Sequence, residues 1–95
     1  MVRVVKTPAA EVDLYDVWLY IADDSPAMAD QFLDILNAKL NLLATHPELG
    51  ESHPEIGVRV RFFPVASYVI VYRPIESGIE LIRVLQGARD FESLF

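Results

Sequence analysis

SYVIVYRPIESGIELIRVLQGARD, Ser67 to Asp90, is the stretch that decides the fold. In its first half Tyr68, Ile70 and Tyr72 alternate with Val69 and Val71, so both faces of a β-strand there are apolar. A strand of that kind belongs in the middle of a sheet rather than at its edge. After a turn spanning Pro74 to Gly78, Ile79 to Leu85 forms a second run of β-branched and aliphatic residues, with the charge of Arg83 inside it.

Working outward, Val58 to Phe63 alternates again, with Val58, Val60 and Phe62 on one side and Arg59, Arg61 and Phe63 on the other, and Pro64 is expected to end the strand. The 46–57 segment, opened by His46-Pro47 and rich in proline, glycine and short polar residues, reads as loop. Two helices precede it. Thr7-Pro8 is a helix start, threonine capping and proline pre-set for the first helical position, and the helix is predicted to reach Ala22. Ser25-Pro26 repeats the signal for a second helix to Thr45. The connection is short, so the helices form an antiparallel hairpin. Val2 to Lys6 reads as a short strand, and Ala88 to Phe95 as a short terminal helix after Gly87. The order is β-α-α-β-β-β with a final helix: an α+β chain, a helical hairpin packed on a small twisted, largely antiparallel sheet.

Ninety-five residues make one domain, and no internal repeat or low-complexity tract divides it. The absence of cysteine removes disulfides and thiolate metal sites. No apolar run approaches membrane-spanning length, and Met1 leads directly into a strand-like segment, so a soluble cytoplasmic protein is expected. A net charge of −6 argues against binding nucleic acid by neutralising phosphates. The charge is uneven: residues 1–57 hold three basic groups against ten acidic ones, residues 58–95 five against four.

On the first helix Ala10, Leu14, Val17, Trp18 and Ile21 share one side, an ordinary core stripe, while Val12, Tyr15 and Leu19 lie on the other. A helix apolar on two faces is either sandwiched between layers or docked against a partner. On the second, Asp30, Asp34, Asn37 and Asn41 form a polar stripe beside a wide apolar arc that includes Met28, Ile35 and Leu42. The acidic residues of both helices read as a solvated outer surface rather than a cation site.

Arg59, Arg61 and Arg83 sit inside strand patterns, where charge is uncommon. As a group they are expected to form a positive patch on the sheet face that the helices leave open; the plainer alternative pairs each with a carboxylate such as Glu80. His46 and His53, each before a proline in one loop, lack nearby ligands at metal-motif spacing. There is no phosphate-binding glycine loop, nucleophile turn or metalloprotease helix motif, and Tyr68 and Tyr72 read as core tyrosines. No catalytic residue, metal site or cofactor is expected.

Residues spread over nearly the whole chain resemble a known family. They are Ala10, Asp13-Leu14, Trp18 and Tyr20-Ile21-Ala22 in the first helix, and Ser25-Pro26, Ala29 and Phe32 in the second; then Leu43-Ala44, Pro47, Gly50, Val58-Arg59 and Tyr68 to Arg73. The most specific piece is Ile82-Arg83-Val84-Leu85-Gln86-Gly87-Ala88-Arg89-Asp90, similar to an RVLHGARD signature with Gln86 where histidine is usual. The chain resembles a ParE-type toxin of the RelE/ParE superfamily, the toxic half of bacterial toxin–antitoxin pairs that include plasmid-stabilisation systems. The resemblance implies the RelE/ParE-like fold, a non-enzymatic toxin that binds DNA gyrase and blocks replication, and a cognate antitoxin that neutralises it in a hetero-oligomer. Combined with the residues, it places the target surface at Arg59, Arg61, Arg83 and Arg89, and the antitoxin surface at Val12, Tyr15, Leu19, Met28 and Ile35. Two alternatives stand beside it: a RelE-like ribosome-dependent messenger-RNA endoribonuclease, and a non-toxic member acting as corepressor with its antitoxin. The RelE branch is expected to cut with a cluster of basic residues and a C-terminal tyrosine; here the segment after Gly87 has no tyrosine and the whole chain has only two lysines, Lys6 and Lys39, a departure that argues against RNA cleavage.

Overall fold

The N-terminal strand closes the sheet against the last one. In a computed structural model that describes residues 2–87, β1 (Arg3–Lys6) pairs in parallel with β5 (Gly78–Gln86), in the register Val4 to Ile79 and Lys6 to Leu81. Between them run α1 (Pro8–Ala22), α2 (Pro26–Thr45), a single 3-10 turn (Pro47–Leu49), and three strands, β2 (Glu51–Ser52), β3 (Arg61–Val65) and β4 (Tyr68–Ile75). The sheet order is β1-β5-β4-β3-β2, antiparallel apart from the β1–β5 pair, and β4 is central as its two apolar faces require. The helices reach the lengths predicted, and their caps form: Thr7 Oγ1 accepts from the Ala10 N–H at 3.0 Å and Ser25 Oγ from the Met28 N–H at 3.2 Å. The terminal helix expected over 88–95, like Arg89, lies outside the described residues.

Alternation along β4 sorts the core. Tyr68, Ile70 and Tyr72 face the helices and join Ala10, Leu14, Val17, Leu36, Leu40 and Leu43 in the main cluster. Val71 faces the other way, into a smaller cluster with Val60, Phe62 and Leu85, against which Ile56, Val69 and Ile82 pack. The second cluster explains why this strand carries no polar face.

The third strand departs from its expected bounds. Val58 and Arg59 form a turn, Arg59 with φ at +62°, and Val58 is 83% exposed instead of inward. Pro64 lies within β3, opposite Val69. It is tolerated because β2 pairs only with Arg61 and Phe62, so Pro64 stands on an open edge where the N–H it lacks has no ladder partner to lose.

Two contacts fix the sheet's ends. At Gly78 a Cβ would collide with the Arg3 carbonyl, so only glycine allows β1 to approach β5 there. At the other end the fully buried Tyr72 hydroxyl donates to the Pro47 carbonyl at 2.7 Å and accepts from the Gly50 N–H at 2.8 Å, while a Cβ at Gly50 would strike the phenol ring. Burial pushes the Tyr72 phenol above the usual tyrosine range, partly opposed by the hydrogen bond from Gly50. The folded chain therefore holds this proton more tightly than the unfolded chain. That contribution to stability is complete below about pH 10 and is lost as pH climbs through the folded-state value. Tyr72→Phe is expected to lower the unfolding free energy by about 1–3 kcal/mol in urea titrations, because the buried Gly50 N–H loses its acceptor. The same substitution is expected to remove a late-ionising tyrosine from a spectrophotometric alkaline titration.

Candidate functional site

Arg83 is held by a residue seventy positions away. Its Nε donates to Asp13 Oδ2 at 2.7 Å and its Nη2 to Oδ1 at 3.0 Å, and the Val84 N–H donates to Oδ2 at 2.9 Å. Asp13, on the second turn of α1, is brought there by the β1–β5 register, since the chain leaves β1 at Lys6 beside Leu81 and enters α1 at once. The nearby Glu80, offered by the sequence as a partner, is instead engaged by Arg73 at 2.6 Å across the β4–β5 ladder.

Arg61 is drawn toward the opposite edge of the sheet, beside β2. Its Nη1 donates to the Gly50 carbonyl at 2.6 Å and, more weakly, to that of Glu48 at 3.4 Å, so it braces the corner already fixed by Tyr72. Arg59 is exposed on the turn beside Val58, with no ion pair among the described residues. The expected positive patch of Arg59, Arg61 and Arg83 is therefore not formed. Arg59 is not on a strand, and the other two are pulled apart, one by a carboxylate of α1 over β5 and one by carbonyls beside β2. In place of a patch there is one exposed tip, Val58-Arg59, which strict alternation had concealed.

The helical hairpin does present the apolar surface that its sequence suggests. Val12, Tyr15, Leu19, Met28 and Ile35 are each between 44 and 63% exposed, so α1 is not sandwiched between two layers. Trp18 Nε1 donates to Asp30 Oδ1 at 2.8 Å and ties the helices together, so part of the polar stripe of α2 serves the hairpin itself. Leu19 and Met28 meet in a groove of about 660 Å³ at the hairpin turn, which Tyr20, Asp23 and Asp24 also line. The antitoxin surface assigned from sequence left out two exposed apolar residues of the hairpin, Tyr20 and Leu42, the second of which the sequence had placed in the apolar arc of α2. The signal for Leu42 was present: Met28, Ile35 and Leu42 recur every seven residues, the spacing of a stripe that receives another helix.

His53 stacks on Phe62, with ring centroids 4.0 Å apart, between Glu51 at 3.3 Å and Glu55 at 2.9 Å; its hydrogen bond holds the Glu55 carboxyl below the usual carboxylate range. It packs the loop after β2 against the smaller cluster. Among the described residues no three histidine, cysteine or acidic side chains are arranged to hold a metal ion, and no helix is long and apolar enough to cross a membrane.

The Asp13 contact makes a direct prediction. Asp13→Ala takes the bidentate carboxylate from Arg83 and the acceptor from the Val84 N–H at the β5 edge, so it is expected to cost about 1–3 kcal/mol in chemical denaturation. Asp16→Ala, an exposed neighbour on the same helix, should stay within about 0.5 kcal/mol of the unaltered chain.

With this geometry in hand, comparisons with known proteins add three findings. Residues 4–91 match the family model described as the ParE toxin of the type II toxin–antitoxin system parDE. A solved structure described as the chromosomal ParDE TA system from P. aeruginosa superposes with a TM-score of 0.73 at 18% sequence identity, covering 92% of this chain and 97% of that one. At that identity the likeness speaks for the fold. No curated protein matches the sequence.

Proposed function

This chain belongs to the ParE toxin family of type II toxin–antitoxin systems, and from that premise we propose that it is a cytoplasmic toxin that arrests growth by binding DNA gyrase, and that a cognate antitoxin silences it by covering the helical hairpin. The observation that carries the antitoxin part is the exposure of Val12, Tyr15, Leu19, Met28 and Ile35 on helices whose inner faces are fully packed. An amphipathic helix laid against such anchors is a recurrent mode of protein recognition, and aromatic anchors such as Tyr15 carry a large share of the affinity.

Action by binding rather than by bond-making fits the fate of the arginines. A phosphodiester-cleaving site built on arginines needs them to converge on one phosphate, where their charge stabilises the transition state. Here Arg83 is committed to Asp13 and Arg61 to backbone carbonyls, in different directions. The Val58-Arg59 tip is the part of the expected target surface suited to direct contact, an exposed apolar side chain beside an exposed cation. Arg61 and Arg83 would serve it as positioning residues, each holding its element in place; Arg89 belongs to the same proposed surface.

Three measurements test the reading. Induced expression should stop growth, and co-expression of the small protein encoded beside it should restore growth. Purified protein should inhibit gyrase-catalysed supercoiling, with Arg59→Ala about tenfold weaker at unchanged thermal stability. Tyr15→Ala combined with Leu19→Ala should retain toxicity but lose rescue by the antitoxin. Cleaved transcripts in arrested cells, with gyrase unaffected, would defeat the proposal.

A further inference from the structure

The net charge of the chain sits in one place. From Pro8 to Thr45, α1, the turn and α2 hold seven carboxylates against the single cation Lys39, a balance of −6 that equals the total, so the remainder of the sequence is neutral. Two of these carboxylates are engaged internally, Asp13 by Arg83 and Asp30 by Trp18. Asp16, Asp23 and Asp24 are exposed, and no ion pair among the described residues includes them.

These three aspartates line two adjoining grooves that share Tyr20. One groove is the cleft at the hairpin turn, with Leu19 and Met28; the other runs between α1 and the end of β5. Among the described residues no lysine or arginine lines either. An apolar surface rimmed by carboxylates that no described residue pairs is complementary to apolar side chains flanked by cations, and it disfavours an acidic segment by like-charge repulsion.

We infer that the antitoxin segment received by this hairpin is a cationic amphipathic helix, its apolar face against Leu19, Tyr20 and Met28 and its lysine or arginine side chains reaching Asp16, Asp23 and Asp24. The inference rests on the reading of the hairpin as the antitoxin's docking face and adds the chemistry of what docks. Each rim pair contributes modestly in water, so the charge acts on partner choice and encounter rate, and its influence shrinks as salt screens it.

Two synthetic helical peptides with one shared heptad pattern of leucines, differing only in carrying lysine or glutamate beside it, test this by calorimetric titration against the full chain. At low ionic strength the lysine peptide is expected to bind about tenfold more tightly, a ratio that falls toward one in molar salt. Asp16→Asn/Asp23→Asn/Asp24→Asn should erase the preference while leaving the thermal midpoint in place, and Leu19→Ala should weaken both peptides. Equal affinity, preference for the glutamate peptide, or binding of neither overturns the inference. The docking reading fails separately, when the neighbouring gene product does not restore growth. Growth restored by an antitoxin whose affinity ignores both salt and the triple substitution removes the charge inference alone.

Discussion

Where β1 stops at Lys6, β5 still runs to Gln86, and its outer backbone groups would face water or another chain. The chain resolves this with side chains. Thr7 Oγ1 donates to the Ile82 carbonyl at 2.8 Å, and the Asp13 carboxylate accepts the Val84 N–H while clasping Arg83. Because Thr7 is also the cap of α1 and Asp13 stands on its second turn, the groups that close the sheet edge also set the direction in which the first helix leaves it. The second helix follows through the short turn and the Trp18–Asp30 bond. The exposed faces of the hairpin thus depend on a few polar contacts at one strand edge. The hydrophobic effect compacts the chain without direction, and these contacts provide orientation.

The opposite edge of the sheet uses the same device. Tyr72 and Arg61, both turned toward the helix layer, bind backbone groups of residues 47–50 and hold the corner from which β2 starts. His53 then packs the following loop on Phe62. Between these two polar anchors the apolar residues fill the interior, and among the described residues no buried side-chain nitrogen or oxygen lacks a partner.

Much of the fold was legible because it is written in local signals. Thr7-Pro8 and Ser25-Pro26 mark both helix starts, the Tyr68–Tyr72 alternation marks the central strand, and the apolar excess on α1 and α2 announces a surface without an internal partner. The failures have physical causes too. Alternation carried Val58 and Arg59 into a strand because period two does not report a backbone turning through positive φ. Pro64 looked like a terminator because the sequence does not say which strand edge is open. Arg83 looked available for a patch because its partner is seventy residues distant, and only the parallel register of the first and last strands brings Asp13 to it.

That pairing of first strand with last also governs how the fold can be reached. Among the described residues β1 has no strand neighbour other than β5, and its approach is gated by the bare backbone of Gly78. A nascent chain can form its helical hairpin early, from contacts close in sequence, but the sheet stays unfinished until β5 has been synthesised. Closing so long a loop carries an entropic cost that nearby contacts do not, so the completing step comes late and is slow relative to helix formation. The surface organised around the end of β5 therefore exists only once the chain through Gln86 has been made and β1 has closed onto it, which ties the formation of that surface to the slowest contact of the sheet.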